Sequence, residues 1–175
     1  MSNFLYQLIK TRRSTRKFTA QAVEKEKIDT ILNAALMSPS SKNTQAWHFV
    51  VVEDKAVLQR LSESREQGSQ FLAAAPLAIV VLAEDNGSVW IEDTAIASAY
   101  IQLQAESAGL GTCWVQVRDR MKNETLSAED YIRSLLGIPQ GYKILNIIAV
   151  GYKDGEKNPH DDTKLKLEKI HYGKF

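Results

Sequence analysis

Cysteine is nearly missing from this 175-residue chain, where Cys113 stands alone. One thiol closes no intrachain disulfide, so the fold must rest on its apolar core, and a reducing, cytoplasmic setting is expected. Neither sign of charge is in surplus. Lys and Arg total 22 against 21 Asp and Glu, a formal net charge of +1. That balance gives no broad electrostatic reason to bind nucleic acid or an anionic membrane. Long apolar runs are lacking too: the stretch from Phe71 to Ala83 is broken by Pro76 and falls short of a membrane span. Lys10, Arg12 and Arg13 follow the first apolar segment instead of preceding it, which is the wrong order for a secretory signal. With no repeat and no Pro/Gly linker, residues 1–175 read as a single domain, with 153–175 an extended C-terminal tail.

The 44% hydrophobic and 25% charged content is that of an ordinary globular protein. Phe4, Leu5, Leu8 and Ile9 follow helical spacing behind Asn3 or Ser2 as a cap. Ile28, Ile31, Leu32, Ala35 and Leu36 mark a second helix that ends at Ser38-Pro39. His48–Val52, Leu77–Ala83, Thr112–Val117 and Tyr142–Val150 read as strands. Between them lie a charged helix from Lys55 to about Arg65, an alanine-rich buried helix from Ile91 to Ala108, and a helix from Ala128 to Leu136. Helices and strands alternate, so both faces of the sheet should be covered. Leu165, Leu167, Ile170 and Tyr172 cannot be buried by the tail alone, which should cross the domain or a second subunit.

Two islands carry the chemistry. Arg12-Arg13-Ser14-Thr15-Arg16 gathers three guanidiniums and two hydroxyls, donors matched to a phosphate. Cations closing a helix would look the same, because the helix dipole favours them there. Pro39 to Trp47 holds Ser40, Ser41, Asn43 and Gln45, whose amides could both donate to and accept from a flat heterocycle. A solvated turn has a similar composition. No Ser-His-Asp or Cys-His set and no metal-ligand spacing is apparent, so no catalytic side chain and no metal are assigned. His48, His160 and His171 read as structural or solvated, and Cys113 as an inert buried thiol.

Taken in order, Arg12–Arg16, Pro39–Trp47, Gly109-Leu110-Gly111-Thr112-Cys113-Trp114 and Ile147–Gly151 on to His171 resemble the FMN-dependent nitroreductase family of NAD(P)H oxidoreductases. The resemblance implies an α+β fold with a mixed central sheet flanked by helices. It also implies an intertwined homodimer with FMN, bound tightly but non-covalently, at the subunit interface. Electrons would pass from NADH or NADPH through flavin N5 to a small electrophile such as a nitroaromatic or quinone. Carried over by position, Arg12 is a phosphate ligand, Arg13 and Ser14 are phosphate and ribityl neighbours, and Arg16 is the cation beside flavin N1. Pro39, Ser40 and Ser41 form a wall from the second subunit, Asn43 faces the pyrimidine edge, and Gln45 is a neighbour of that edge or a loop-stabilising residue. Trp114 to Gln116 is the strand passing N5, and Lys164 is the late basic residue that reaches the phosphate, with Lys166 as its substitute. Ala46 replaces a usual proline, Gln116-Val117 replaces an acidic-Gly pair, and Gln67 to Trp90 leaves little room for a long lid. A flavin-dependent dehydrogenase or dehalogenase, or a non-catalytic FMN-binding redox sensor, would fit the same scaffold.

Overall fold

The computed structural model describes residues 3–85 and 89–175. Helix α1 (Phe4–Thr11) starts where the Asn3 side chain accepts from the Tyr6 amide at 3.3 Å; the alternative cap, Ser2, lies outside the described residues. Helix α2 (Lys25–Leu36) buries Ile28, Ile31 and Ala35 on one face and stops three residues before Pro39. Helix α3 (Lys55–Ser62) is shorter than its charge pattern predicts. After Ser62 the chain turns back, and the Ser69 hydroxyl donates to the Ser62 carbonyl at 2.7 Å, occupying an acceptor a longer helix would use.

Strands β1 (Trp47–Val52), β2 (Leu77–Glu84), β3 (Gly111–Gln116) and β4 (Tyr142–Gly151) form one sheet in the order β1-β2-β4-β3. All three strand pairs are antiparallel, and the parallel component is a bridge from Ser14 to Thr112 beside β3. β2 and β4 lie in the middle, and both are buried along almost their whole length. They therefore read as continuous apolar runs with no alternation.

Each face of the sheet carries its own core. Val80, Leu82, Val115, Ile147 and Ala149 pack with Leu58, Leu61 and Ile132, from α3 and α5 (Ala128–Leu136). On the other face Ile79, Val81, Ile148 and Val150 meet Ile31 and Ala35 of α2, and Ile101 and Ala105 of α4 (Trp90–Ser107). Ala97, Ser98 and Ala105 are fully buried, so small side chains bring α4 close to the sheet. There the Asn146 amide of β4 donates to the Ser98 hydroxyl at 2.9 Å.

Helix α1 is the exception, with no buried residue at all. Phe4, Leu5 and Leu8 line an open apolar groove of about 470 Å³ with Ala34, Tyr100 and Leu103. The tail ends the same way: Leu165, Leu167, Ile170, Tyr172 and Phe175 are all exposed. No helix among the described residues is long and apolar enough to cross a membrane.

Candidate functional site

Residues 12–16 leave α1 and run beside the start of β3. The Thr15 amide donates to the Thr112 carbonyl at 2.8 Å, which docks the arginine segment on the edge strand. Gly111 makes this approach possible. A Cβ there would meet Thr15 Oγ1 at 2.5 Å and Lys153 Cγ at 2.8 Å, closer than real side chains tolerate. Arg12 donates to Gln102 Oε1 of α4 at 3.3 Å, and Arg16 lies over the Phe71 ring at 5.9 Å.

Cys113 shows which groups converge. Burial pushes its thiol above the usual range, while Arg16, Ser14, Lys157 and Arg12 pull it back. Arg12, Ser14, Arg16 and Lys157 all act on this one thiol of β3, and Lys157 Nζ donates to the Ser14 carbonyl at 2.6 Å. Sequence reasoning had not assigned Lys157 a role. A cavity of about 410 Å³ opens on the tail side of the segment, lined by Arg13, Thr15, Arg16, Lys153 and Lys157 with Asp154 and Glu156, but by neither Arg12 nor Ser14. The Thr112 hydroxyl is buried with no partner among the described residues.

Strand β3 adds backbone donors. Thr112 turns its carbonyl outward to Thr15, away from β4. Groups two residues apart on a strand face the same way, so the amides of Trp114 and Gln116 also point off the free edge. Their side chains are satisfied locally: Trp114 Nε1 donates to Gln116 Oε1 at 2.9 Å, and Gln116 Nε2 to the Arg118 carbonyl at 3.1 Å.

The amide turn is equally built. Lys42, Asn43 and Gln45 all have positive φ, of 50°, 55° and 49°. Asparagine tolerates this region, but three such residues in four store strain. Asp93 of α4, almost fully buried, holds the turn by accepting from the Ser41 amide at 2.9 Å. Ser40 Oγ accepts from the Gln45 amide at 3.0 Å. Pro39 is exposed, and the Asn43 and Gln45 side chains reach solvent without a hydrogen bond to any described residue.

Within one chain these two places stand at different ends of the sheet. Trp47 stands level with Ala83 and Lys143, whereas Thr112 stands level with Val150 at the far end of β4. Seven residues along the strand and three strand spacings across put Trp47 about 28 Å from Thr112. Both segments are anchored on α4, the turn at Asp93 and Arg12 at Gln102, nine residues or about 14 Å of helix apart.

Two expected ligands have partners within the chain. Arg13 donates to the Asn158 carbonyl in the tail. Lys164 is exposed and pairs loosely with Asp161 at 3.9 Å, whereas Lys157 reaches the Ser14 carbonyl at 2.6 Å. A second lysine beside the cavity, Lys153, pairs at 2.8 Å with the buried Glu106. The histidines stay apart: His48 is beside Glu84 and Tyr142, His160 is on the tail, and His171 stacks on Phe175. Among the described residues no group of three or more His, Cys, Asp or Glu could hold a metal.

The fold has counterparts among known proteins. A solved FMN-dependent nitroreductase from Clostridium difficile R20291 superposes with a TM-score of 0.94 at 49% identity, covering 96% of this chain and 98% of that one. An NADH dehydrogenase/NAD(P)H nitroreductase from Archaeoglobus fulgidus is 36% identical over 174 residues, covering 96% of this chain and 97% of its own length. Human iodotyrosine deiodinase 1 is 25% identical, with 97% of this chain against 68% of that protein. Its alignment runs over 204 positions against a chain of 175 residues, so it carries stretches that this chain lacks. The nitroreductase family model matches residues 9–68 and 63–152. With helices on both faces of an antiparallel sheet and an arginine clamp docked on its edge, the chain belongs to the nitroreductase family.

Proposed function

We propose that this protein is an FMN-dependent NAD(P)H oxidoreductase that works as a homodimer, with each flavin held between the clamp of one subunit and the amide turn of the other. The observation that carries this reading is the docking of the segment bearing Arg12, Ser14 and Arg16 on the edge of β3, with Lys157 bonded to the Ser14 carbonyl, next to the outward amides of Trp114 and Gln116. Guanidiniums and an ammonium suit a phosphate monoester, and a row of edge donors suits a flat ring with acceptors along one side. The donor set therefore fits FMN. The chemistry supplied by the cofactor when bound is electron uptake from a nicotinamide donor and delivery to an oxidant.

The chain's own residues bind and orient. Arg12 and Ser14 would hold the phosphate and ribityl end, with Lys157 taking the place expected of Lys164. Arg16 would lie beside the ring, where a fixed positive charge favours the negative charge gained on reduction. The partner's copies of Pro39, Ser40 and Ser41 would wall the ring, and those of Asn43 and Gln45 would meet its pyrimidine edge. The second subunit would dock through the groove of Phe4, Leu5, Leu8 and Tyr100, of which Phe4, Leu5 and Tyr100 are exposed. The connection from β2 to α4 spans only residues 85–89, and the inserted stretches of the deiodinase relative have no counterpart here. An open ring accepting a small nitroaromatic or quinone fits that economy better than an oxidant gripped by a long lid.

Purified protein should be yellow, bleach on addition of NADH or NADPH, and recover colour with a quinone. Arg12→Ala should weaken FMN binding about 10- to 100-fold, the range for a hydrogen bond to a charged group. Arg16→Gln should mainly lower the midpoint potential of the bound flavin. Colourless protein that takes up no added FMN ends the proposal.

A further inference from the structure

The tail does not simply leave β4; it runs back along the amino-terminal segment, residue against residue. Tyr152 accepts from the Thr19 amide at 3.0 Å, and Lys153 forms an antiparallel bridge with Phe18. The Asp154 amide donates to Lys17 at 3.1 Å, Lys157 Nζ donates to Ser14, and Arg13 donates to Asn158. The His160 amide then donates to the Lys10 carbonyl at 2.8 Å, and Asp162 accepts from Lys10 Nζ at 2.7 Å and from the Tyr6 hydroxyl at 2.9 Å. One strand descends as the other climbs. The arginine segment is therefore held on two sides, by β3 on one and by the tail on the other.

Main-chain bonds hold this ladder at Lys17 and at Lys10. Between them, across the clamp itself, two side chains take over: Arg13 from one strand and Lys157 from the other. Both are cations bonded to backbone carbonyls, contacts stronger than neutral ones. Neighbouring residues on an extended segment point opposite ways. Arg12 faces Gln102 and acts on the Cys113 thiol, while Arg13 turns to the tail.

We propose that Arg13 is a positioning residue: its guanidinium latches the tail at Asn158, and the latched tail delivers Lys157 to the clamp. An anion bound at the clamp and an ordered tail then favour each other, because whatever stabilises one stabilises the state that supports the other. This second part rests on the flavin reading, whereas the latch itself does not.

Trypsin tests both parts on the full-length protein, since Lys164, Lys166 and Lys169 are exposed beyond the latch. In flavin-free protein, Arg13→Gln should speed tail cleavage about tenfold, the effect of one lost charged hydrogen bond, while cleavage within the core is unchanged. Arg13→Lys should restore the slow rate, because an ammonium can still donate to a single carbonyl. Saturating FMN should slow tail cleavage in the wild type but much less in Arg13→Gln. If flavin-free Arg13→Gln is cut at the wild-type rate, the latch is refuted. If in addition it loses FMN affinity as Arg12→Ala does, Arg13 is a phosphate ligand. Wild-type protein that binds no FMN refutes the flavin reading and the linkage, while the flavin-free comparison still decides the latch.

Discussion

At Cys113 two influences oppose each other. The thiol is buried inside β3, which disfavours its charged form, while Arg16, Lys157 and Arg12 favour it. Burial dominates, so the folded thiol titrates above the unfolded one. A raised pKa stabilises the folded state fully below the unfolded thiol's range, and that contribution is lost as pH climbs through the range towards the folded value. Thermal stability should therefore fall faster above about pH 8.5 in the wild type than in Cys113→Ala. Parallel alkaline melting profiles for the two proteins would contradict this assignment. Single residues were legible in the sequence where their chemistry was local. Arg12, Ser14 and Arg16 stood out as adjacent donors, and the structure keeps them together. Arg13 had the same local signature, and its bond to the distant Asn158 carbonyl was not legible there. Lys153 and Lys157 carried a faint signal, cations following the last strand, but their spacing could not say which one faces the clamp.

The elements themselves were mostly written in periodicity. β2 and β4 announced themselves as apolar runs, and α4 as an alanine-rich helix with few charges; their ends differ from expectation by a residue or two. The amide turn shows what pattern cannot give. Its composition said only that a loop was present, whereas its left-handed backbone and the bond from the Ser41 amide to Asp93 show a loop held under strain. Asp93 also lies in the first turn of α4, where the dipole favours a carboxylate. Asp93→Ala should cost about 1.5–3 kcal/mol by leaving the Ser41 amide without its charged acceptor. For a domain of this size that lowers the melting temperature by about 3–12 °C. Asn43 and Gln45 would lose their fixed orientation as well. A melting temperature unchanged within about one degree would mean that Asp93 does not hold the turn. The tail ladder lay beyond sequence reading, since pairing across more than 130 residues leaves no local period. Its first half folds back on its own subunit, and its apolar end remains open.

At the scale of the molecule, the distance between the clamp and the turn matters more than either alone. One chain places them at opposite corners of its sheet, and α1 and α4 leave apolar side chains facing solvent. A two-fold pair would cover that face and could bring the turn of each copy to the clamp of the other. The arrangement makes a prediction that no single-subunit site shares. Arg12→Ala alone and Asn43→Ala alone each damage both sites of a dimer, so neither should hold flavin well. Mixed dimers of the two variants would gather both defects in one site and leave the other intact. Unfolding and refolding the two variants together at equal amounts should give half mixed dimers, restoring about a quarter of the wild-type flavin content. If clamp and turn served the same site from one subunit, every site would carry one defect and mixing would restore nothing. Flavin content per chain, measured before and after mixing, separates the two arrangements.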